Sequence, residues 1–158
     1  MNAADREFAH ALRWITEIMA GASARYQVVG GLAARAYGSR RPLVDLDFYM
    51  PAQDLARVLK ELGPHRVWGP EPFRDDCWDL TFTRVEWQGV RIELAEAEGA
   101  RYYSRAQGRW VDQRIDFGRS TRRTVLGVEV PVMPKDRLVA YKRDLDRPVD
   151  RRDLEEID

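Results

Sequence analysis

The sequence predicts an α+β fold in which a central mixed β-sheet carries helices packed mainly on one side. Three observations predict this class. Helical periodicity opens and closes the chain, with apolar residues recurring every three or four positions. Short runs rich in β-branched and aromatic residues lie between, separated by Gly and Pro. The length of 158 residues with 44% hydrophobic residues suffices for one core, so we expect a single domain over residues 1–158.

The first part of the chain reads as a helix followed by a core of alternating elements. Apolar spacing predicts an N-terminal helix over residues 3–20, and Gly21 is a natural end for it. We expect the core to occupy residues 26–96. Its elements are a strand at 26–29, a helix at 31–37, a strand at 43–49, a helix at 51–62, and strands at 80–87 and 90–95.

The positions of Gly, Pro and other turn-forming residues predict the remaining elements. Gln88-Gly89 predicts a tight hairpin turn. Within 80–87 the apolar residues change from even to odd positions, which either a bulge or burial on both faces would explain.

The terminal strands and helices should fill residues 124–158. Less regular segments are 64–79, a loop with at most a short strand near Val67, and 98–120, with a possible strand at 110–115. The expected terminal elements are a strand pair at 124–132 turning at Gly127, a helix from Pro134 to about Leu145, and a short charged helix after Pro148.

Asp45 and Asp47 lie one residue apart on the predicted strand at 43–49. Because side chains alternate along a strand, both aspartates should project from one face, while Val44, Leu46 and Phe48 point the other way. Paired carboxylate oxygens suit Mg²⁺, which proteins commonly hold with one or two carboxylates and substrate phosphates. A solvated strand face would show the same spacing, so the neighbouring motifs decide the interpretation.

A third carboxylate is expected on a later strand. Glu93 is the favoured candidate because core-type residues flank it, and Glu86 is the alternative. If Gln88-Gly89 forms a two-residue turn, Glu93 lies opposite Arg84 and Glu86 lies opposite Arg91. The alternative interpretation is that either acid forms a cross-strand ion pair and binds no metal; such a pair contributes little to stability at a surface.

Gly30-Gly31 lies between a predicted strand and a predicted helix, where phosphate groups bind readily. The missing side chains would let a triphosphate approach the backbone, although two glycines can also simply relieve strain in a turn. Arg40, Arg41 and Lys142 are candidate phosphate contacts, with a solvated surface charge as the alternative for each. A metal site beside a phosphate site points to phosphoryl or nucleotidyl transfer.

Composition excludes several other classes. The 26 basic residues balance the 26 acidic ones, which argues against a nucleic-acid partner. Cys77 is the one cysteine, so the chain can form neither an internal disulfide nor a cysteine-based zinc cluster. No apolar run reaches the length of a membrane span, and the first residues lack the pattern of a secretion signal. We therefore expect a cytoplasmic protein without a membrane partner.

Together, these motifs resemble the nucleotidyltransferase superfamily that shares the DNA polymerase β-like catalytic fold. That family has Gly-Gly or Gly-Ser after a strand, Asp-x-Asp on the next strand and a third acid on a later one. Here the matching residues are Gly30, Gly31, Asp45, Asp47 and Glu93. The Gly-Gly form is most similar to the small antibiotic nucleotidyltransferases, the tRNA-tailing enzymes and the abortive-infection toxin-type nucleotidyltransferases.

The C-terminal sequence adds to the resemblance. Toxin-type members often end in a helix with a Lys, followed by Arg-x-x-Asp and a further Asp-Leu. Residues that match this ending are Lys142, Arg147, Asp150, Asp153 and Leu154. The similarity therefore covers roughly residues 26–155.

The resemblance implies Mg²⁺-dependent transfer of a nucleoside monophosphate from an NTP to an acceptor hydroxyl, on a small molecule or a protein. Asp45 and Asp47 would hold two Mg²⁺ ions, and Glu93 would bind the second metal or act as general base. A protein partner or a homodimer could complete the cleft. The alternative is a regulatory or binding module, such as a toxin–antitoxin component, with weak or no catalysis.

The same resemblance assigns the phosphate-binding residues. The backbone of Gly30 and Gly31 would cradle the triphosphate, with Arg40 and Lys142 as the accompanying cations.

Overall fold

The computed structural model describes all residues from Met1 to Asp158. It contains five α-helices and nine β-strands. The helices are α1 (Ala3–Gly21), α2 (Gly30–Ala36), α3 (Ala52–Leu59), α4 (Lys135–Leu145) and α5 (Pro148–Glu156). The strands are β1 (Gln27–Val29), β2 (Leu46–Met50), β3 (Arg66–Arg74), β4 (Trp78–Trp87), β5 (Val90–Glu96), β6 (Arg101–Ser104), β7 (Arg109–Asp112), β8 (Thr121–Val125) and β9 (Val128–Val132).

All nine strands belong to one mixed sheet. Its order is β7-β6-β4-β5-β2-β1-β9-β8, with β3 paired to β4. The pairs β1–β9 and β2–β5 are parallel, and the other pairs are antiparallel. The α+β class with a mixed central sheet, predicted from the sequence, is confirmed.

Helix α1 forms because apolar residues at helical spacing have a sheet to pack on. Leu12, Ile15 and Met19 are fully buried, and the helix contacts β5 and β9. Asn2 caps the first turn, since its side-chain oxygen accepts a 2.8 Å hydrogen bond from the Asp5 amide. The predicted bounds, residues 3–20, differ from the observed ones by one residue.

Helix α2 is short and made mostly of small residues, which lets it lie close to the sheet. It contacts β1, β2 and β8. Leu32, Ala33 and Ala34 are fully buried there. Because α2 starts directly after β1, its first residues lie at the end of a buried strand, beside the beginning of β2.

The hairpin of β4 and β5 has the predicted turn and register. Gln88 and Gly89 both have positive φ, at 47° and 79°, as a two-residue hairpin turn requires. Arg84 pairs with Glu93 across the two strands. The change of apolar parity reflects burial on both faces, since Phe82 on one face and Val85 on the other are both buried and the ladder is regular.

Two segments differ from the sequence prediction. Residues 66–74 form the nine-residue strand β3, where we expected a loop. Most of β3 is exposed and its register shifts twice against β4, so no alternating apolar pattern marks it. Residues 101–112 form the hairpin of β6 and β7, of which only the second strand was predicted, at 110–115.

The structure also shortens two predicted elements. Strand β2 begins at Leu46, three residues later than expected, because Leu43 to Asp45 pair with no strand. Helix α3 ends at Leu59 rather than 62, and a 3₁₀ turn follows at Gly63–His65. No helix of the fold is both long enough and apolar enough to cross a membrane.

Candidate active site

Three carboxylates converge where β2 lies parallel to β5. Asp47 is the register partner of Glu93, so both side chains lie on the same face of neighbouring strands. Asp45, one residue before β2, joins them, and one carboxylate oxygen from each lies within 4.8 Å of the others. Glu86 does not join this cluster, because it is exposed and pairs across the hairpin with Arg91.

The position of Val44 differs from the alternation predicted for this strand. Leu46 and Phe48 are fully buried, as expected, but Val44 is 73% exposed and lies at the cleft. The reason is that Val44 precedes β2, so the strand geometry does not yet control where its side chain points.

The cluster concentrates negative charge in a partly desolvated place. Burial, followed by repulsion from Asp45 and Glu93, raises the pKa of Asp47 well above its ordinary value. Burial and then the charge of Asp45 also raise the pKa of Glu93, although Arg84 and, to a smaller extent, Arg91 oppose the shift. Such a group of acids is unfavourable alone and would be stabilised by a divalent cation.

Gly30 and Gly31 make room for two charged side chains. Gly30 has φ +66°, and a Cβ there would lie 2.5 Å from Oδ2 of Asp47. A Cβ on Gly31 would lie 2.8 Å from Nη2 of Arg41. At Gly30 the positive φ would strain any other residue as well, so both backbone conformation and space require glycine there, whereas at Gly31 the close approach of Arg41 is the reason.

The acidic cluster lies in a cleft of about 430 Å³, a size within the range of ligand sites. One part of the cleft is charged and the other is apolar. The charged lining consists of Arg41, Asp45, Asp47, Asp75, Arg84, Glu93, Lys142 and Arg147. The aromatic residues on the same side of the sheet as the acidic cluster, which we call the aromatic wall, are Tyr49, Phe73, Trp78, Phe82 and Tyr141.

Two fully buried aspartates of α5 form ion pairs with three basic side chains of the cleft. Asp153 accepts from Nε of Arg41 at 2.7 Å and lies 2.8 Å from Nζ of Lys142. Asp150 accepts from Nε of Arg147 at 2.7 Å and lies 3.4 Å from Nζ of Lys142. We call these five residues the α5 ion network. It joins the last helix to α4 and to the loop that precedes Asp45.

The α5 ion network keeps Asp153 ionised despite its burial. Burial alone would raise the pKa of this carboxyl, but hydrogen bonds from Arg41, Lys142 and Ser39 hold it below its ordinary value. Ser39 donates from its hydroxyl at 2.8 Å. Asp150 and Asp153 therefore pair with basic residues well beyond their own helix.

The structure does not bring Arg40 to the cleft. Its side chain is 88% exposed and lies 3.5 Å from Glu156, beside the beginning of α1. Arg41 lines the cleft instead, where Asp153 holds its guanidinium at 2.7 Å. Lys142 does lie at the cleft wall, where it is buried and engaged by two aspartates.

The aromatic wall was missed by the sequence analysis. Phe73 is 38% exposed and packs edge-to-face with Phe82, with ring centres 5.5 Å apart. Trp78 donates from its ring nitrogen to the Tyr141 hydroxyl at 2.7 Å. Tyr49 could have been found, since it follows Asp47 at the same parity, whereas Phe73 lies in the segment that we expected to be a loop.

Comparison with known proteins supports the fold. The chain matches a crystal structure described as a "putative nucleotidyltransferase" from Thermotoga maritima, with a TM-score of 0.71 and 17% identity. The match covers 95% of this chain and 91% of that one. No protein-family model matches the sequence, and no curated protein matches it either. The chain therefore has a nucleotidyltransferase-like fold, and the acidic cluster is its candidate metal site.

We predict that Asp47→Asn stabilises the metal-free protein at neutral pH by about 1 kcal/mol, because it removes a buried charge that neighbouring acids repel. For a chain of this length, that corresponds to about 2–4 °C in the melting temperature. The measurement is thermal unfolding in the presence of a chelator, with Asp112→Asn on the exposed end of β7 as the control.

The gain from Asp47→Asn should shrink as the pH falls through the raised pKa of Asp47, because the wild-type carboxyl then becomes neutral too. It should vanish below the ordinary pKa of an aspartate. A loss of stability at neutral pH, or no effect of pH on the difference, would contradict the repulsion that we infer.

We predict that Lys142→Met lowers the free energy of unfolding by about 3 kcal/mol, because it leaves Asp150 and Asp153 with less compensation in a buried place. Urea unfolding measures this. Lys135→Met, on the exposed first turn of the same helix, is the matched control and should change stability little. Equal effects of the two substitutions would mean that the α5 ion network contributes nothing specific.

Proposed function

We propose that this protein is a Mg²⁺-dependent nucleotidyltransferase, which transfers a nucleoside monophosphate from an NTP to an acceptor hydroxyl. The observation that carries the proposal is the convergence of Asp45, Asp47 and Glu93 at a cleft, directly beside the open backbone of Gly30 and Gly31. The nucleotidyltransferase-like fold supports it independently, since the similarity spans nearly the whole chain.

The donor set of the acidic cluster fits magnesium. All three side chains offer carboxylate oxygens, the ligands that this cation prefers. Asp45 and Asp47 form no ion pair with any residue of the chain, so their charge is left for a bound cation. We propose that these two aspartates hold two Mg²⁺ ions, with Glu93 at the second. When bound there, the ions would neutralise the triphosphate and lower the pKa of the acceptor hydroxyl.

The chain's own residues would bind and orient the substrates. Gly30 and Gly31 present backbone without side chains, which gives the phosphates access to the beginning of α2. Arg41 lines the same part of the cleft, and we assign it the phosphate contact that the sequence had suggested for Arg40. Asp153, which is fully buried and also pairs with Lys142, would keep Arg41 in place.

Glu93 has a second task in this proposal. Its pKa is raised by burial and by Asp45, which is the direction that a general base working near neutral pH requires. It lies at the acidic cluster but on a different strand from the aspartates, so it can face the acceptor rather than the triphosphate. The aromatic wall offers that acceptor an apolar surface, consistent with a small molecule or with a side chain of a protein.

The decisive measurement is calorimetric titration with a non-hydrolysable NTP analogue, with and without Mn²⁺ as a substitute for Mg²⁺. Wild type should bind the analogue only with the cation. Asp45→Asn and Asp47→Asn should abolish cation-dependent binding while the protein stays folded. Glu93→Gln should impair transfer more than binding. Glu86→Gln, which removes an acid from the same hairpin but outside the cleft, is the matched control.

Two outcomes would contradict the proposal. If wild type shows no cation-dependent binding, the enzyme interpretation fails and the binding-module alternative is favoured. If Glu86→Gln impairs transfer as much as Glu93→Gln, the third carboxylate has been assigned wrongly.

Cation binding should also depend on pH in a defined direction. Burial and neighbouring acids raise the pKa of Asp47 and of Glu93, so protons compete with the cation at a higher pH than at ordinary carboxylates. Affinity for Mn²⁺ alone should therefore fall as the pH is lowered from about 8 to 5, by about tenfold per unit for each proton displaced. Mn²⁺ affinities at a series of pH values measure this, and a flat profile would contradict the assigned ligands.

A further inference from the structure

We propose that Arg84 binds a phosphate group of the nucleotide. Binding of the metal ion to Glu93 would release the Arg84 guanidinium from that carboxylate and so make it available to the phosphate. Arg84 would thus couple the two ligands, because the residue that neutralises Glu93 in the free protein becomes available to substrate once the metal has bound. This inference rests on the proposed function and adds a residue that neither the motifs nor the fold singles out.

The contact between Arg84 and Glu93 is a loose one. The two residues lie directly opposite each other in the ladder between β4 and β5. Nη2 of Arg84 is 3.6 Å from Oε1 of Glu93, longer than a hydrogen bond. Nε of Arg84 is buried and has no hydrogen-bond partner, and the guanidinium lies 5.7 Å from the ring centre of Phe82. The side chain is therefore positioned mainly by stacking and register.

The other cations of the cleft are held differently. Arg41, Lys142 and Arg147 each have an oxygen of Asp150 or Asp153 within 2.8 Å. Those two aspartates are fully buried and lie outside the acidic cluster, so a metal at the cluster leaves their ion pairs intact. Arg84 differs from these three basic side chains, because its counter-ion, Glu93, is itself a proposed metal ligand.

Cation binding therefore changes the surroundings of Arg84 most. A divalent ion bound to Glu93 would neutralise the carboxylate that pairs with Arg84, and it would add positive charge nearby. A partly buried guanidinium without a counter-ion is unfavourable, and its flat fork suits the oxygens of a phosphate. The nucleotide supplies such a group beside the metal, so each ligand would favour binding of the other.

This role predicts effects of opposite sign on the two ligands. Removing the guanidinium removes a cation that competes for Glu93, so affinity for Mn²⁺ alone should rise severalfold. It also removes a charge-assisted contact to phosphate, so affinity for the nucleotide should fall by about tenfold or more. A residue that only maintained the shape of the cleft would weaken both.

The experiment compares wild type, Arg84→Gln, Arg84→Lys and Arg91→Gln by calorimetry. Each protein is titrated first with Mn²⁺ alone, then with a non-hydrolysable NTP analogue or with inorganic pyrophosphate at saturating Mn²⁺. We expect Arg84→Gln to bind Mn²⁺ more tightly and the analogue more weakly. Arg84→Lys should keep wild-type Mn²⁺ affinity and bind the analogue with intermediate affinity. A loss for both phosphate probes places the contact at the pyrophosphate end, and a loss for the analogue alone places it at the α-phosphate.

Arg91→Gln removes the same charge two rungs along the hairpin, outside the cleft, and should change either affinity by less than about twofold. Similar effects of the two glutamine variants would overturn the proposal, since general electrostatics would then explain both. Unchanged nucleotide affinity in Arg84→Gln, or weaker Mn²⁺ binding, would overturn it as well. Absence of Mn²⁺ binding by wild type would overturn the proposed function itself and this inference with it.

Discussion

The in-register parallel pairing of β2 with β5 is the constraint on which the site depends. It places Asp47 beside Glu93 on one face of the sheet, where burial and mutual repulsion oppose their ionisation. The opposite face holds the register, because a slip of one residue would turn its apolar side chains into the cleft. Those side chains, all fully buried, are Leu46, Phe48, Ile92 and Leu94. The core therefore maintains a cluster of acids that would not form by itself.

A second arrangement keeps Asp45 and Asp47 from being neutralised internally. Of the four basic side chains that line the same cleft, Asp150 and Asp153 engage three from the other side, and the fourth, Arg84, lies opposite Glu93. Because these partners are buried and well aligned, Arg41, Lys142 and Arg147 are not drawn onto the acidic cluster. The cleft thus presents separate acidic and basic surfaces, as a site for a metal and a triphosphate requires. Burying so many charges costs stability, which fits a role in function rather than in folding.

Local signals in the sequence predicted the parts of the fold that depend on neighbours in the chain. Helical periodicity located α1, and Gln88-Gly89 determined the turn and hence the register of β4 with β5. Strand β3 escaped prediction because it is an exposed strand with an interrupted ladder, so burial leaves no pattern in its sequence. Arg40 and Arg41 were equivalent in the sequence, and only the path of the loop distinguishes them.

The sequence by itself determined the first groups of the candidate site, which are two carboxylates and a glycine pair. Asp45, Asp47 and the two glycines are close enough along the chain for strand and turn geometry to relate them. The tertiary structure alone decided which later residues join them. Glu93 rather than Glu86 completes the cluster because β5, and not β4, pairs with β2. The α5 ion network and the aromatic wall likewise combine residues distant in sequence, and contacts of that kind follow from packing, which leaves no local pattern to read.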